Sequence, residues 1–181
     1  MKEISEHQIY NVLDDKYSRI GCDYVILSSD DEYRGIETHK KAVITAFEIL
    51  NIRFSPYELS IDIEPEKMSA VRSSADELLS IPSDEYFEGR KKANRNYTVP
   101  SPIPYWYAFL EPPGGTPYMK SDFTEFNDVL FPNKDSIEVY RWNDDFSGYF
   151  DDGKEWWGTG LWSAYDAETG IFVIICASLT D

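Results

Sequence analysis

Near its C-terminus the chain carries seven consecutive apolar residues, Ile171-Phe-Val-Ile-Ile-Cys-Ala177. The run is far shorter than the ~20 residues that cross a bilayer. It also lacks the alternation of a strand with one wet face, so it predicts a central strand covered on both sides. Ala167-Glu-Thr-Gly170 precedes it as a natural hairpin connection, with Leu161 to Tyr165 as the partner strand. Ile137 to Trp142 alternates apolar and polar and reads as a further strand. The last forty-odd residues therefore predict an antiparallel meander that needs helices to cover it.

Those helices are sought upstream. Ile36 to Phe54 gives the clearest pattern, with Val43, Phe47, Leu50 and Phe54 on one stripe and Pro56 limiting its end. Residues 3–17 predict an amphipathic helix through Ile4, Ile9 and Leu13, and 121–131 a short one capped by Ser121. Pro65 fits a helix start, with Met68, Val71, Ala75 and Leu78 as its stripe and Pro82 as its stop. Residues 84–97 form a weaker helical candidate that carries Arg90-Lys91-Lys92, the one basic cluster. Tyr24 to Leu27 and Leu59 to Ile63 read as short strands. Six prolines between 100 and 118 assign Tyr105 to Leu110 to an edge strand or irregular segment. Strands and helices do not alternate regularly, so the fold class is α+β. Residues 1–181 read as one domain: 1–100 mostly helical, 101–181 aromatic-rich, acidic and strand-rich. The antiparallel sheet is expected largely from the second part, packed by N-terminal helices.

Charge narrows the function. The formal net charge is −16, and residues 101–181 hold 4 basic against 14 acidic side chains, net −10. Such a field repels nucleic acid and anionic membrane and speeds encounter with basic proteins. The opening MKEISEHQIY has no apolar run of the signal-peptide kind, so a cytoplasmic location is expected. Cys22 and Cys176 form no CxxC pair and flank apolar runs, where free cysteine behaves as a small hydrophobe.

Catalytic signatures are missing. His7 and His39 show no metal-ligand spacing and are assigned to polar helix faces. Gly158-Thr-Gly160 precedes a strand and lacks a following lysine, so it reads as a turn rather than a phosphate loop. Asp144-Asp145 and Asp151-Asp152 could hold Mg²⁺, but the EF-hand offsets fail and Asp-Asp-Gly is a common turn. No catalytic residue, metal or cofactor is therefore assigned.

The positive signal is the density of aromatics and carboxylates from Tyr140 to Trp162. Asp144, Asp145, Asp151, Asp152 and Glu155 are the candidate steering charges, with Tyr149, Phe150 and one of Trp156 or Trp157 as hydrophobic anchors. Trp142, Trp162 and the other member of the Trp156–Trp157 pair are assigned to the core, because tryptophan is highly buried on average.

The stretches FLEPPGGTPY and YFDDGKEWWGTGLW, with the ending IICASLTD, resemble a C-terminal module of uncharacterised bacterial proteins, over residues 105–181. In overall character the chain is similar to immunity proteins of polymorphic or contact-dependent toxin systems. That resemblance implies a cytosolic protein that blocks a basic toxin domain, often a nuclease, by tight binding, with no catalytic residues to carry over. Two other classes stay open: a small acidic, hydrolase-like enzyme with a carboxylate site, and a nucleic-acid mimic or adaptor.

Overall fold

The computed structural model describes residues 1–55, 61–92 and 102–180. Its strands are β1 (Lys2–Glu3), β2 (Asp23–Ser28), β3 (Ala70–Ser73), β4 (Ile137–Trp142), β5 (Thr159–Asp166) and β6 (Ile171–Ser178). They form one antiparallel sheet in the order β1-β2-β6-β5-β4-β3. The apolar run lies in β6, between β2 and β5. The hairpin of β5 and β6 is the one the sequence predicts, and its register sets Leu161 opposite Cys176 and Tyr165 opposite Phe172. The fold is α+β, with the longest strands from the C-terminal half.

Alternation in β6 explains why the sheet needs two covers. Phe172, Ile174 and Cys176 face one side, where α2 (Ile36–Phe54) packs Ala42, Val43, Ala46, Phe47 and Leu50 against them. Val173, Ile175 and Ala177 face the other, under α1 (Gln8–Lys16), α5 (Tyr105–Leu110) and α6 (Lys120–Leu130). Cys22 packs with this second cluster and Cys176 with the first, so the sheet separates the two thiols and both are free.

Several predicted elements change. The chain from Pro65 is a 3₁₀ turn (Pro65–Lys67), then β3, then a one-turn helix, α3 (Ala75–Leu78). Pairing with β4 wins over the helical stripe. Val71 is left 65% exposed on the outermost strand, and Ser74 caps α3 by accepting from the Glu77 amide. Tyr105 to Leu110 is a helix rather than an edge strand, and all six residues are buried. Pro104 is extended just before its first turn, where a missing N–H costs nothing. α1 starts only at Gln8, with the His7 ring capping the Ile9 amide, because residues 2–3 join the sheet. At the start of α6 it is the Asp122 carboxylate, accepting from the Met119 amide, that satisfies the end, not Ser121. The helix predicted over 84–97 is seen as α4 (Asp84–Lys92); its remainder lies outside the described residues, as do the Arg90–Lys92 side chains and the first two residues of the strand predicted over Leu59–Ile63. Ile61 and Ile63 make no strand, although Ile63 forms a single bridge with Ser147. Among the described residues no helix is long and apolar enough to cross a membrane.

Candidate functional site

Every candidate residue lies at one end of the sheet, on the segment that leaves β4 at Trp142 and re-enters as β5 at Thr159. Backbone and side-chain bonds hold this segment down. The Asn143 side chain accepts from the Ser69 amide at 2.8 Å and donates to the Lys67 carbonyl at 3.0 Å. The Phe146 carbonyl accepts from the Glu64 amide at 2.8 Å. Phe146 and Phe150 then pack under α2, with ring centroids 5.2 and 5.7 Å from Phe47.

The chain next makes a single helical turn, α7 (Asp151–Glu155), laid against the end of β6. Only glycine fits at its centre: a Cβ on Gly153 would come 2.7 Å from Ser178 Oγ and 2.9 Å from the Leu179 nitrogen. The Gly153 carbonyl accepts from the Gly158 amide at 2.7 Å, and the Gly158 carbonyl from the Leu179 amide at 3.0 Å. The Gly-Thr-Gly turn also serves packing, since the Trp162 indole lies where a Cβ of residue 160 would stand.

This anchoring sorts the candidates. Asp145, Asp151, Asp152 and Glu155 are exposed, and Trp156 is 61% exposed. Trp157 turns inward and packs on the second core cluster, so the tryptophan pair splits between solvent and interior. Trp142 and Trp162 are core residues. Two anchors must be withdrawn. Phe150 is fully buried, because the 3₁₀ turn Gly148–Phe150 points it at Phe47. Tyr149 is half-buried, its hydroxyl donating to Asp23 Oδ2 at 2.6 Å. Burial raises both groups: the Tyr149 hydroxyl goes well above the usual phenol range and the Asp23 carboxyl above the usual carboxylate range, with the Tyr149 bond opposing the latter.

Asp144, Lys154, Trp156 and Trp157 border a cleft of about 410 Å³ whose inner side includes Arg141 and Thr159. The Thr159 hydroxyl donates to Asp144 Oδ2. Lys154 stands between Asp145 and Asp151 at 3.5 and 3.6 Å, which tempers the charge without cancelling it. Arg141 escapes sequence reasoning because it looks like an outward position of β4. Its signal is scarcity: residues 101–181 contain only four bases. Among the described residues no three His, Cys, Asp or Glu side chains converge in a group that could hold a metal ion.

A second feature lies away from this end. His39 is fully buried, contrary to its predicted surface position. It falls four residues before Val43 and so extends the α2 stripe inward. Trp142 Nε1 can only donate, and it bonds Ser163 Oγ at 2.8 Å; Ser163 then gives its own proton to His39 Nδ1 at 2.8 Å. At the other ring nitrogen, Tyr33 donates to Glu138 Oε1, so it accepts from His39 Nε2–H at 3.1 Å. Arg72 completes the chain at Glu138 Oε2, 2.7 Å away. The sequence of donors assigns a neutral, Nε2-protonated imidazole, and burial brings His39 down to about 4 against a smaller opposing pull from Glu138.

Comparison of the chain with protein-family models, with curated proteins and with solved structures finds no match.

Proposed function

We propose that the chain is a binding protein that neutralises a basic protein partner, and that the partner is a bacterial toxin domain, as for the immunity proteins it resembles. The observation that carries this reading is Trp156, 61% exposed beside α7 and its carboxylates. An exposed tryptophan on a tied-down segment offers a large apolar anchor with little left to order on binding. Asp145, Asp151, Asp152 and Glu155 give the anchor a negative surround that draws in basic surfaces and sets register. The −16 net charge extends the same attraction beyond contact range. A basic nuclease site, built to attract phosphate, is the kind of surface this face complements.

A carboxylate hydrolase would bring two carboxyl groups to one substrate. Of the five predicted carboxylates, the cleft beside Trp156 is bordered by Asp144 alone, which favours the binding reading. The test is co-expression with basic toxin domains, sought first among the reading frames that neighbour this one. A 1:1 complex that protects the host, and that dissociates faster with Trp156→Ala, supports the proposal. Protection without a stable complex, or a complex indifferent to Trp156→Ala, contradicts it.

A further inference from the structure

The cleft between β4 and the Trp156–Trp157 pair contains an oddity of charge. In a chain with 33 acidic and 17 basic residues, most described bases hold a carboxylate, among them Lys16, Arg53, Arg72 and Lys154. Arg141 holds none of the described carboxylates, although it is half-buried. Its Nη2 donates to the Ile103 carbonyl at 3.0 Å, and its guanidinium lies 5.6 Å from the Trp162 ring centroid. No carboxylate among the described residues comes within ion-pair distance of it. Asp144 borders the same cleft, near enough to act on Arg141 electrostatically yet not joined to it, with Oδ2 held by Thr159. Burial lowers the basicity of Arg141, and the pull of Glu77 and Asp144 does not restore it.

A guanidinium and a carboxylate that face one cleft without pairing form a receptor for a ligand carrying both opposite charges. The cleft's volume, about 410 Å³, suits a small molecule, and Trp156 and Trp157 supply flat apolar walls. We propose that the cleft binds a free α-amino acid with an aromatic or large aliphatic side chain. Its carboxylate is taken by the Arg141 guanidinium, its ammonium by Asp144, and its side chain lies against the tryptophans. Bidentate arginine–carboxylate geometry makes the first contact the strongest. This inference does not rest on the partner-binding reading. Since Trp156 belongs to both surfaces, the ligand and a protein partner exclude one another there.

The test uses three probes on the wild-type protein: L-phenylalanine, 3-phenylpropionate, which lacks the ammonium, and phenethylamine, which lacks the carboxylate. Binding is read from the indole N–H resonances in ¹⁵N–¹H spectra. L-Phenylalanine is expected to shift the Trp156 and Trp157 signals saturably, with a dissociation constant of about 1 mM or tighter. Each analogue is expected to bind about tenfold more weakly or worse, because it leaves one charged group of the cleft unpaired. Asp144→Asn should weaken L-phenylalanine and leave 3-phenylpropionate bound as tightly or more tightly, while Arg141→Lys should weaken both. Equal binding of 3-phenylpropionate and L-phenylalanine overturns the zwitterion receptor, and so does the absence of saturable indole shifts. The probe series needs no variant, so unfolding of Arg141→Lys would not blunt it.

Discussion

The hydroxyl of Ser163 on β5 lies 2.8 Å from Nδ1 of His39 on α2 and 2.8 Å from the indole nitrogen of Trp142. One buried oxygen thus joins the covering helix to two strands, donating to one ring and accepting from the other. Ser163→Ala strands a ring nitrogen and an indole N–H in the core. The expected loss is about 3 kcal/mol, measured by urea denaturation at pH 7.

Because His39 is buried as the neutral imidazole, its burial makes stability depend on pH. The unfolded chain takes up a proton on this residue near the ordinary histidine value of 6.5, whereas the folded chain resists until about 4. Its contribution is fully present above 6.5 and is lost as pH falls toward 4, by about 3 kcal/mol in total. Asp23, raised by burial, works the other way at the acid end of this range. Urea midpoints from pH 7 to 4 should fall for the wild type, and His39→Gln should flatten the slope.

Two aromatic residues six positions apart should behave oppositely. Phe150→Ala opens a cavity against Phe47 and Phe146 and is expected to cost about 3–5 kcal/mol. Trp156→Ala removes an exposed side chain and should change stability by no more than about 0.5 kcal/mol. Thermal melts of the two variants decide whether the anchor has been placed on the right ring.

Gly153→Ala should be costly for a different reason. The added methyl meets the Leu179 backbone nitrogen at 2.9 Å, which cannot move without disturbing the end of β6. A loss of about 1–3 kcal/mol is expected, again by denaturation. Any loss of partner binding should exceed what the reduced folded fraction explains, because α7 is pushed outward with its carboxylates.

Much of this was legible in the sequence where burial has a strong period. The run in β6 specified a doubly covered central strand, and Val43, Phe47 and Leu50 specified the helix that covers one side. Legibility failed where several local rules competed over few residues. Met68 to Leu78 carries a helical stripe, yet the edge of β4 recruits Ala70 to Ser73 instead. Prolines around Tyr105 to Leu110 argued against a helix, although they stand just outside it. Within the Tyr140–Trp162 segment the inward aim of Tyr149 and Phe150 was not legible: an irregular turn has no period from which to read direction. Arg141 and Asp144 share a cleft with Gly160, whose missing Cβ leaves room for the Trp162 ring, and no local sequence pattern announces that meeting.

The central claim is that an acidic face anchored by Trp156 captures a basic protein. Its most direct test is the association rate with the toxin-like partner by stopped flow, at low and at physiological salt. Electrostatic steering predicts a steep fall as the screening length shortens to about 8 Å. It also predicts that Asp145→Asn, Asp151→Asn, Asp152→Asn and Glu155→Gln together bring the low-salt rate down to the screened value. A rate that ignores both salt and these four substitutions would contradict the account.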